Sequence, residues 1–152
     1  MTKGKKQMRS SGDQADQGVQ SSIGACKACP EGKYEDRKHS VACKSCVGGK
    51  YSDAGNAQTS VSVCKSCVGG RYSDAGAGQI DIGVCKACVG GKYSDAGAGK
   101  TNVSVCKACV GGKYSDAGEA QTAESVCKSC VGGRYSDAGD AQIDVGVCKA
   151  CV

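Results

Sequence analysis

Fourteen cysteines, arranged as seven Cys-x-x-Cys pairs, are the residues of this chain whose type and spacing point to chemistry. Closely spaced thiols can cross-link a chain in two ways: pairs oxidise to disulfides, or four thiolates hold one tetrahedral zinc ion. No pairing of a nucleophile with a base, no phosphate-binding loop and no cofactor motif accompanies them. We therefore predict that the chain is not an enzyme and binds no cofactor.

The cysteine pairs mark the boundaries of a tandem repeat. A first unit of seventeen residues begins at Cys26 and reads CKACPEGKYEDRKHSVA. Five units of twenty-one residues follow, starting at Cys43, Cys64, Cys85, Cys106 and Cys127, and a partial unit, CKACV, starts at Cys148. We assign 23–152 to the repeats and 1–22, which is polar and lacks any apolar period, to a disordered tail. Because the seventh unit stops early, we interpret the chain as a fragment of a longer protein.

The composition excludes an ordinary hydrophobic core. The chain has 24 Gly and no Leu, Phe or Trp, and its six aromatic residues are all Tyr. Ordering such a backbone costs roughly 1–2 kcal/mol per residue, which burial of Ala and Val does not offset, so covalent links must hold the fold. We predict a small disulfide-rich fold: an elongated, rod-like array of short β-hairpin-like, Cys-stapled 21-residue repeats with little or no helix, in which each repeat contacts only its neighbours.

Each unit carries the same turn signals. Gly-Gly before Lys/Arg-Tyr predicts one turn and Ser-Asp-Ala-Gly predicts another, because Gly adopts positive φ and Asp bonds nearby backbone. We expect each Tyr to pack over its own disulfide loop as the one sizeable apolar group available. We expect the Asp of Ser-Asp-Ala-Gly to cap its turn. The Asp residues are Asp53, Asp74, Asp95, Asp116 and Asp137.

The simplest disulfide scheme that respects the repeat joins the second Cys of one pair to the first Cys of the next. Each bond then closes a loop worth roughly 3 kcal/mol of stability by chain entropy. The predicted pairs are Cys29–Cys43, Cys46–Cys64, Cys67–Cys85, Cys88–Cys106, Cys109–Cys127 and Cys130–Cys148, with Cys26 and Cys151 unpaired. The connectivity is not deducible from sequence alone.

An intracellular array of four-cysteine zinc knuckles, acting as a protein-binding or nucleic-acid-binding module, is the alternative. Cys-x-x-Cys pairs separated by about 15–20 residues can supply four thiolates to one zinc ion. Two features count against zinc: seven pairs do not divide into fours, and Val or Pro follows the second Cys of a pair where zinc ribbons usually place Gly. The absence of a visible secretory signal favours it, since that points to a reducing compartment.

The repeated motif resembles a known family. CPEGKY at Cys29–Tyr34 and its variants CVGGKY and CVGGRY, followed by SDAG and the next Cys pair, are similar to the cysteine-rich repeats of ephrin-receptor-like extracellular regions, and more distantly to tumour necrosis factor receptor modules. The resemblance implies a disulfide-laddered ectodomain segment with the second-to-first pairing. The chain departs from the family where Val47, Val68, Val89, Val110 and Val131 replace the Pro that Pro30 retains.

Charge and hydropathy limit the possible partners. The net charge of +5 is spread along the chain, and no aromatic platforms accompany it, so we predict no nucleic-acid binding. No stretch approaches membrane-spanning length. We expect an extracellular location, in a secreted protein or the ectodomain of a membrane protein, with a protein ligand or neighbouring domains of the parent chain as partners. There, Asn102-Val103-Ser104 forms an N-glycosylation sequon.

Overall fold

A computed structural model of the chain describes residues 28–37 and 42–152. The predicted tail, 1–22, and Cys26 lie outside the described residues. Six disulfides divide the described chain into loops that we call modules 1 to 6. They are Cys29–Cys43, Cys46–Cys64, Cys67–Cys85, Cys88–Cys106, Cys109–Cys127 and Cys130–Cys148.

Each module forms one very short antiparallel hairpin. Its first strand lies inside the disulfide loop, and its second strand lies just after the closing Cys, so Tyr51 stands opposite Lys65 in module 2. The strands pair in sequence order, β1 with β2 through β11 with β12. Their bounds are β1 Lys33–Tyr34, β2 Lys44–Ser45, β3 Lys50–Tyr51, β4 Lys65–Ser66, β5 Arg71–Tyr72, β6 Lys86–Ala87, β7 Lys92–Tyr93, β8 Lys107–Ala108, β9 Lys113–Tyr114, β10 Lys128–Ser129, β11 Arg134–Tyr135 and β12 Lys149–Ala150.

The Gly-Gly dipeptide forms the turn that leads into the first strand of the hairpin. In module 2 the amide of Lys50 donates to the carbonyl of Val47 at 3.1 Å, and Gly49 has a φ of 77°. A positive φ at only the third position of a turn defines a type II turn, which favours Gly there. The carbonyl of Gly49 then accepts a hydrogen bond from the Cys67 amide at 2.9 Å, so this turn also fixes the start of the next module.

A single turn of 3₁₀ helix precedes the closing Cys of modules 2 to 6. A side-chain oxygen caps four of these turns by accepting a backbone N–H bond; the capping residues are Ser60, Asp81, Asn102 and Asp144. The remaining turn, Glu124–Val126, begins after Ala123 and lacks a side-chain cap. The helical turns span Val61–Val63, Ile82–Val84, Val103–Val105, Glu124–Val126 and Val145–Val147.

Backbone hydrogen bonds join each module to the next. The amide of Ser52 in module 2 donates to the carbonyl of Gln79 in module 3 at 2.9 Å, and the amide of Gly78 donates back to the carbonyl of Cys46 at 2.8 Å. The same two bonds recur between later modules, for example from Ser94 to Gln121 and from Ala120 to Cys88, each at 2.8 Å. The array is therefore continuous through its backbone as well as through its covalent chain.

Close contacts also reach the second module along, so the expectation of neighbour-only contacts is wrong. A Cβ atom added to Gly49 of module 2 would lie 2.7 Å from the carbonyl carbon of Gly99 in module 4. Equivalent approaches join module 1 to 3, 3 to 5 and 4 to 6, at Gly32, Gly70 and Gly91. Because Gly has no side chain at this position of the turn, the backbone of the second module along can pack directly on it.

The fold-class prediction is confirmed. Short hairpins, each stapled by a disulfide, recur at about the 21-residue spacing of the sequence repeat, and no helix in the described ranges exceeds one turn. The chain is a tandem cysteine-rich repeat.

Candidate binding surface

The disulfides form the interior of each module. Their Cα atoms lie 5.4–5.6 Å apart, within the usual range for a disulfide. Cys46, Cys67 and Cys88 are each 1% exposed and Cys109 is equally buried. The structure brings together all twelve cysteines predicted to pair, whereas Cys151 is a free, exposed thiol. Buried cystines offer no thiolate for catalysis or metal binding, so their role in this arrangement is structural.

The expectation that each Tyr ring packs over its own disulfide loop is wrong for Tyr51. Tyr51 belongs to module 2, yet it clusters with Cys67 and Cys85, the disulfide of module 3, and with Val84. The cause is strand pairing: β3 pairs with β4, which directly precedes Cys67, so the ring lies against the next disulfide. Tyr51 and Tyr93 are 7% exposed, whereas Tyr135 is 49% exposed.

Four buried serines lie at the junctions between modules, and the sequence analysis did not single them out. Each follows a Tyr, is at most 1% exposed, and donates its backbone N–H to the carbonyl of the residue that bridges from the next module. Their strict recurrence in Tyr-Ser-Asp-Ala-Gly was the available signal. They are Ser52, Ser73, Ser94 and Ser115.

The repeated Asp residues form ion pairs, which differs from the expected turn capping. The carboxylate of Asp53 lies 2.7 Å from Nζ of Lys65, and four equivalent pairs follow at 2.6–2.8 Å. Hairpin pairing explains them: the strand that follows the closing Cys brings its Lys beside the Ser-Asp-Ala-Gly turn. The other pairs are Asp74–Lys86, Asp95–Lys107, Asp116–Lys128 and Asp137–Lys149.

These ion pairs shift the pKa values of both partners in the direction that favours charge. The hydrogen bond from Lys65 is the main cause that holds the pKa of the Asp53 carboxyl below its ordinary value of 3.8. The same bond raises the pKa of Lys65 above its ordinary value of 10.5. Because each lysine neutralises one aspartate, this row presents paired charges to solvent rather than a basic face.

Apolar side chains remain exposed at recurring positions of the repeat, two of which are occupied in most modules. One follows the second Cys of each pair and the other begins the 3₁₀ turn. Among them, Val47 and Val68 are each 62% exposed and Ile82 is 61% exposed. The other exposed members are Val61, Val89, Val103, Val110, Val131 and Val145. Val and Ile that stay in solvent on a chain this poor in large apolar residues are candidates for contacts with a partner.

Two of these positions line a groove on module 3. The groove has a volume of 410 Å³ and lies between Val68 and Ile82. The rest of its lining is Tyr51, Ser66, the Cys67–Cys85 disulfide, Arg71 and Gly83. A second groove, of 140 Å³, lies on module 6 between Val131 and Val145. No cluster of three His, Cys, Asp or Glu side chains in the described ranges is placed to hold a metal ion.

The chain matches no protein-family model, and no curated protein matches it. Within the part of the chain that the structure describes, no helix is long and apolar enough to cross a membrane. The identification therefore stops at a tandem cysteine-rich repeat, a fold typical of structural or binding modules. Disulfide bonding on this scale is typical of proteins in oxidising environments.

Proposed function

We propose that this chain is a non-enzymatic, extracellular repeat region, related to the ephrin-receptor-like cysteine-rich repeats, that serves as a structural or adhesive scaffold and presents sites for a protein ligand. In this proposal it belongs to a secreted protein or to the ectodomain of a membrane protein. The repeats begin at the Cys pairs that start at 26, 43, 64, 85, 106, 127 and 148. The working state has the six disulfides formed and Cys26 and Cys151 outside the ladder.

The burial of the disulfides carries the proposal. In modules 2 to 5 the second Cys of the pair is 1% exposed, and the main apolar group packed on the module 3 disulfide is a single Tyr ring. A module built in this way has almost no interior without its cystine. Such a chain needs an oxidising compartment to fold, and this requirement supports an extracellular site of action.

The zinc-knuckle alternative is not favoured. The sulfur atoms meet two by two, between the end of one pair and the start of the next, and each two-sulfur group is closed by an S–S bond. A structural zinc site needs four ligand atoms around one ion. The pairwise arrangement of the described cysteines supports disulfides over a shared metal.

Peptide mapping of the unreduced chain tests the proposal. A lysine lies between the two cysteines of every pair, for example Lys44, Lys65 and Lys86. Trypsin therefore cleaves between the two cysteines. The ladder predicts that the peptide 51–65, which contains Cys64, is linked to 45–50, which ends in Lys50. A bond within one Cys-x-x-Cys pair would instead link 51–65 to 66–71, which ends in Arg71, and the two products differ in mass.

The same preparation distinguishes the two cysteine chemistries. Intact mass spectrometry after expression in an oxidising compartment with zinc present should show a deficit of two hydrogens for each of the six disulfides and no metal. Reduction should abolish the dispersion of the amide NMR spectrum. A folded, reduced chain that carries zinc would overturn the extracellular proposal in favour of the knuckle array.

A further inference from the structure

The two grooves are copies of each other, separated by three repeats. Each residue that lines the module 6 groove corresponds to a lining residue of module 3 sixty-three positions earlier, as in 114 − 51 for Tyr114 and Tyr51 and 145 − 82 for Val145 and Ile82. Three units of twenty-one residues give the same interval. The sequence thus encodes a recurring surface feature with a longer period than the fold itself requires.

The groove on module 3 is apolar at its base and along both sides. Its base is formed by the Tyr51 ring and by the Cys67–Cys85 disulfide, all of which are buried. Val68 and Ile82 rise on either side and remain more than half exposed, and Gly83, between Ile82 and Val84, leaves the end open. An apolar side chain of a partner could enter between Val68 and Ile82 and remove both of them from water.

A fixed positive charge stands at the side of each groove. Nη1 of Arg71 donates to the carbonyl of Cys85 at 3.0 Å, and Nη1 of Arg134 donates to the carbonyl of Cys148 at 3.5 Å. The bond from Arg71 is within the usual hydrogen-bond range and orients its guanidinium, whereas the contact of Arg134 is longer. The ion pairs among the described residues all use lysine as the cation, so neither arginine is neutralised there.

The other modules lack this combination although they share the fold. Lys replaces the groove Arg in modules 2, 4 and 5, at Lys50, Lys92 and Lys113, and Ser replaces Gly83 at Ser62, Ser104 and Ser125. Lysine does not provide the planar set of donors with which arginine bonds a carbonyl and a carboxylate together. The substitutions occur together at the three-repeat interval, so the grooves differ in kind from the equivalent surface of the other modules.

We propose that the grooves of modules 3 and 6 bind a protein partner through a peptide segment that carries a large aliphatic or aromatic side chain beside a carboxylate. The apolar side chain fills the space between Val68 and Ile82, and the carboxylate bonds the free donors of Arg71. The module 3 groove, at 410 Å³, lies in the range of sites for small ligands, whereas the module 6 groove is smaller, at 140 Å³. This inference deepens the proposed binding role and rests on it.

The presence of two copies of the site on one continuous array has a consequence for affinity. A partner with two such segments, spaced to reach modules 3 and 6 together, binds far more tightly than either segment alone because the second event is intramolecular. Repetition of the three-repeat block would therefore set the number of sites.

An NMR titration tests the assignment. The probe is the peptide acetyl-Asp-Leu-Gly-amide, added to the ¹⁵N-labelled, fully oxidised chain. We expect saturable shifts at the amides of Gly83 and Gly146, with little change at Ser62 and Ser104. Acetyl-Asn-Leu-Gly-amide should bind about tenfold more weakly because it loses a charge-assisted hydrogen bond, and acetyl-Asp-Ala-Gly-amide should also bind more weakly because it leaves the apolar space unfilled.

Variants with residues native to other modules provide the matched controls. Arg71→Lys with Arg134→Lys places the lysine of modules 2, 4 and 5 in both grooves, and we expect about a tenfold loss of affinity with the fold retained. The converse variant, Lys92→Arg with Ser104→Gly, should create a third responding site on module 4.

Three results would overturn the proposal: equal shifts with the Asn peptide, unchanged binding by the arginine-to-lysine variant, or shifts located away from the two grooves. Equal shifts with octanoate, which has a carboxylate and an apolar tail but no peptide, would replace a peptide partner with a fatty-acid ligand. Disulfide mapping of the same sample separates the two levels of inference. If all six disulfides are present but the peptide causes no shifts at the grooves, only the groove proposal is refuted. If the disulfides are absent, the proposed function is refuted as well.

Discussion

The backbone of Gly99 occupies the space where a Cβ of Gly49 would lie, although the two residues belong to modules 4 and 2. A Cβ atom on Gly49 would lie 2.7 Å from the carbonyl carbon of Gly99 and 3.2 Å from the carbonyl oxygen of Lys100. The obstructing atoms are backbone, so a side chain at Gly49 could fit only if module 4 moved. In modules 2 to 4 the Gly-Gly turn therefore has two roles: it forms a type II turn, and the backbone of the second module along packs on it.

We expect Gly49→Ala to destabilise the array by about 2–5 kcal/mol. Overpacking against backbone costs roughly 1–3 kcal/mol, and a Cβ at a φ of 77° adds roughly 1–2 kcal/mol. Denaturant unfolding of the oxidised protein measures the loss. Amide hydrogen exchange should show it concentrated in modules 2 to 4.

Gly112→Ala is the matched control for this prediction. Gly112 occupies the same turn position in module 5, with a φ of 83°, but nothing lies within 4 Å of a Cβ added there. We expect a loss of about 1–2 kcal/mol from the backbone conformation alone. Equal losses for Gly49→Ala and Gly112→Ala would contradict the contact between modules 2 and 4.

Tyrosine truncation should depend strongly on position along the array. Tyr93 is 7% exposed, so Tyr93→Ala should remove about 3 kcal/mol of stability by opening a cavity above a disulfide. Tyr135→Ala should cost about 1 kcal/mol, since Tyr135 is 49% exposed. Thermal unfolding of both variants checks the prediction. A larger loss for Tyr135→Ala would show that the rings do not form the module interior.

The cysteine spacing was sufficient to predict hairpins stapled at each repeat, because a fixed interval and two turn signals leave few other folds. The partner of Tyr51 was not predictable in this way. Every unit contains the same Tyr and the same Cys pair, so a ring over its own disulfide and a ring over the next are indistinguishable in the sequence. Strand pairing decides between them, and the structure pairs β3 with β4.

For the same reason, the sequence alone did not predict the contact between Gly49 and Gly99 or the pairing of Asp53 with Lys65. A periodic sequence offers identical partners one, two and three repeats away, and only the rise and rotation from one module to the next select among them. The grooves, in contrast, left a signal in the sequence. Because Arg71 and Gly83 break the 21-residue period, their recurrence at Arg134 and Gly146 was visible in the sequence, although its meaning required the structure.

Stability should fall at both extremes of pH. The Lys86 hydrogen bond lowers the pKa of Asp74 in the folded chain. The ionised carboxylate therefore stabilises the fold fully above its ordinary pKa of 3.8, and this stability is lost as the pH falls through the lowered pKa. The hydrogen bond to Asp74 raises the pKa of Lys86 in the folded chain. The charged Lys86 therefore stabilises the fold fully below its ordinary pKa of 10.5, and this stability is lost as the pH rises through the raised pKa. Both partners are solvent-exposed, so salt should weaken both effects.

The melting temperature measured against pH tests this account, with Asp74→Asn as the comparison. The variant should melt at a lower temperature than the parent near neutral pH and show a shallower fall in acid, because one titrating carboxylate is gone. Parallel acid limbs for the variant and the parent would mean that the Asp74–Lys86 pair contributes nothing to the fold.

Asn102 should accept an N-linked glycan when the chain passes through a eukaryotic secretory pathway. Its side chain caps a 3₁₀ turn through the Ser104 amide at 2.8 Å, and the residue is exposed. Digestion with a peptide N-glycosidase should reduce the mass of the secreted chain. Asn102→Asp should abolish that change while keeping the cap, since Asp81 and Asp144 cap the equivalent turns. A secreted, oxidised chain without the glycan would contradict the prediction.

Loss of an interior disulfide should disturb more of the array than loss of the last one. Replacing Cys88 and Cys106 by Ala removes a loop closure worth about 3 kcal/mol and empties the interior of module 4. The amide of Ser73 donates to Lys100 of module 4, and the amide of Ser94 in module 4 donates to Gln121. Hydrogen exchange at both serine amides should therefore accelerate. Replacing Cys130 and Cys148 should instead accelerate exchange mainly at Ser115, whose amide bonds Gln142 of module 6. If both double variants unfold the whole chain in one step with equal loss, the modules form a single cooperative unit rather than a ladder of linked ones.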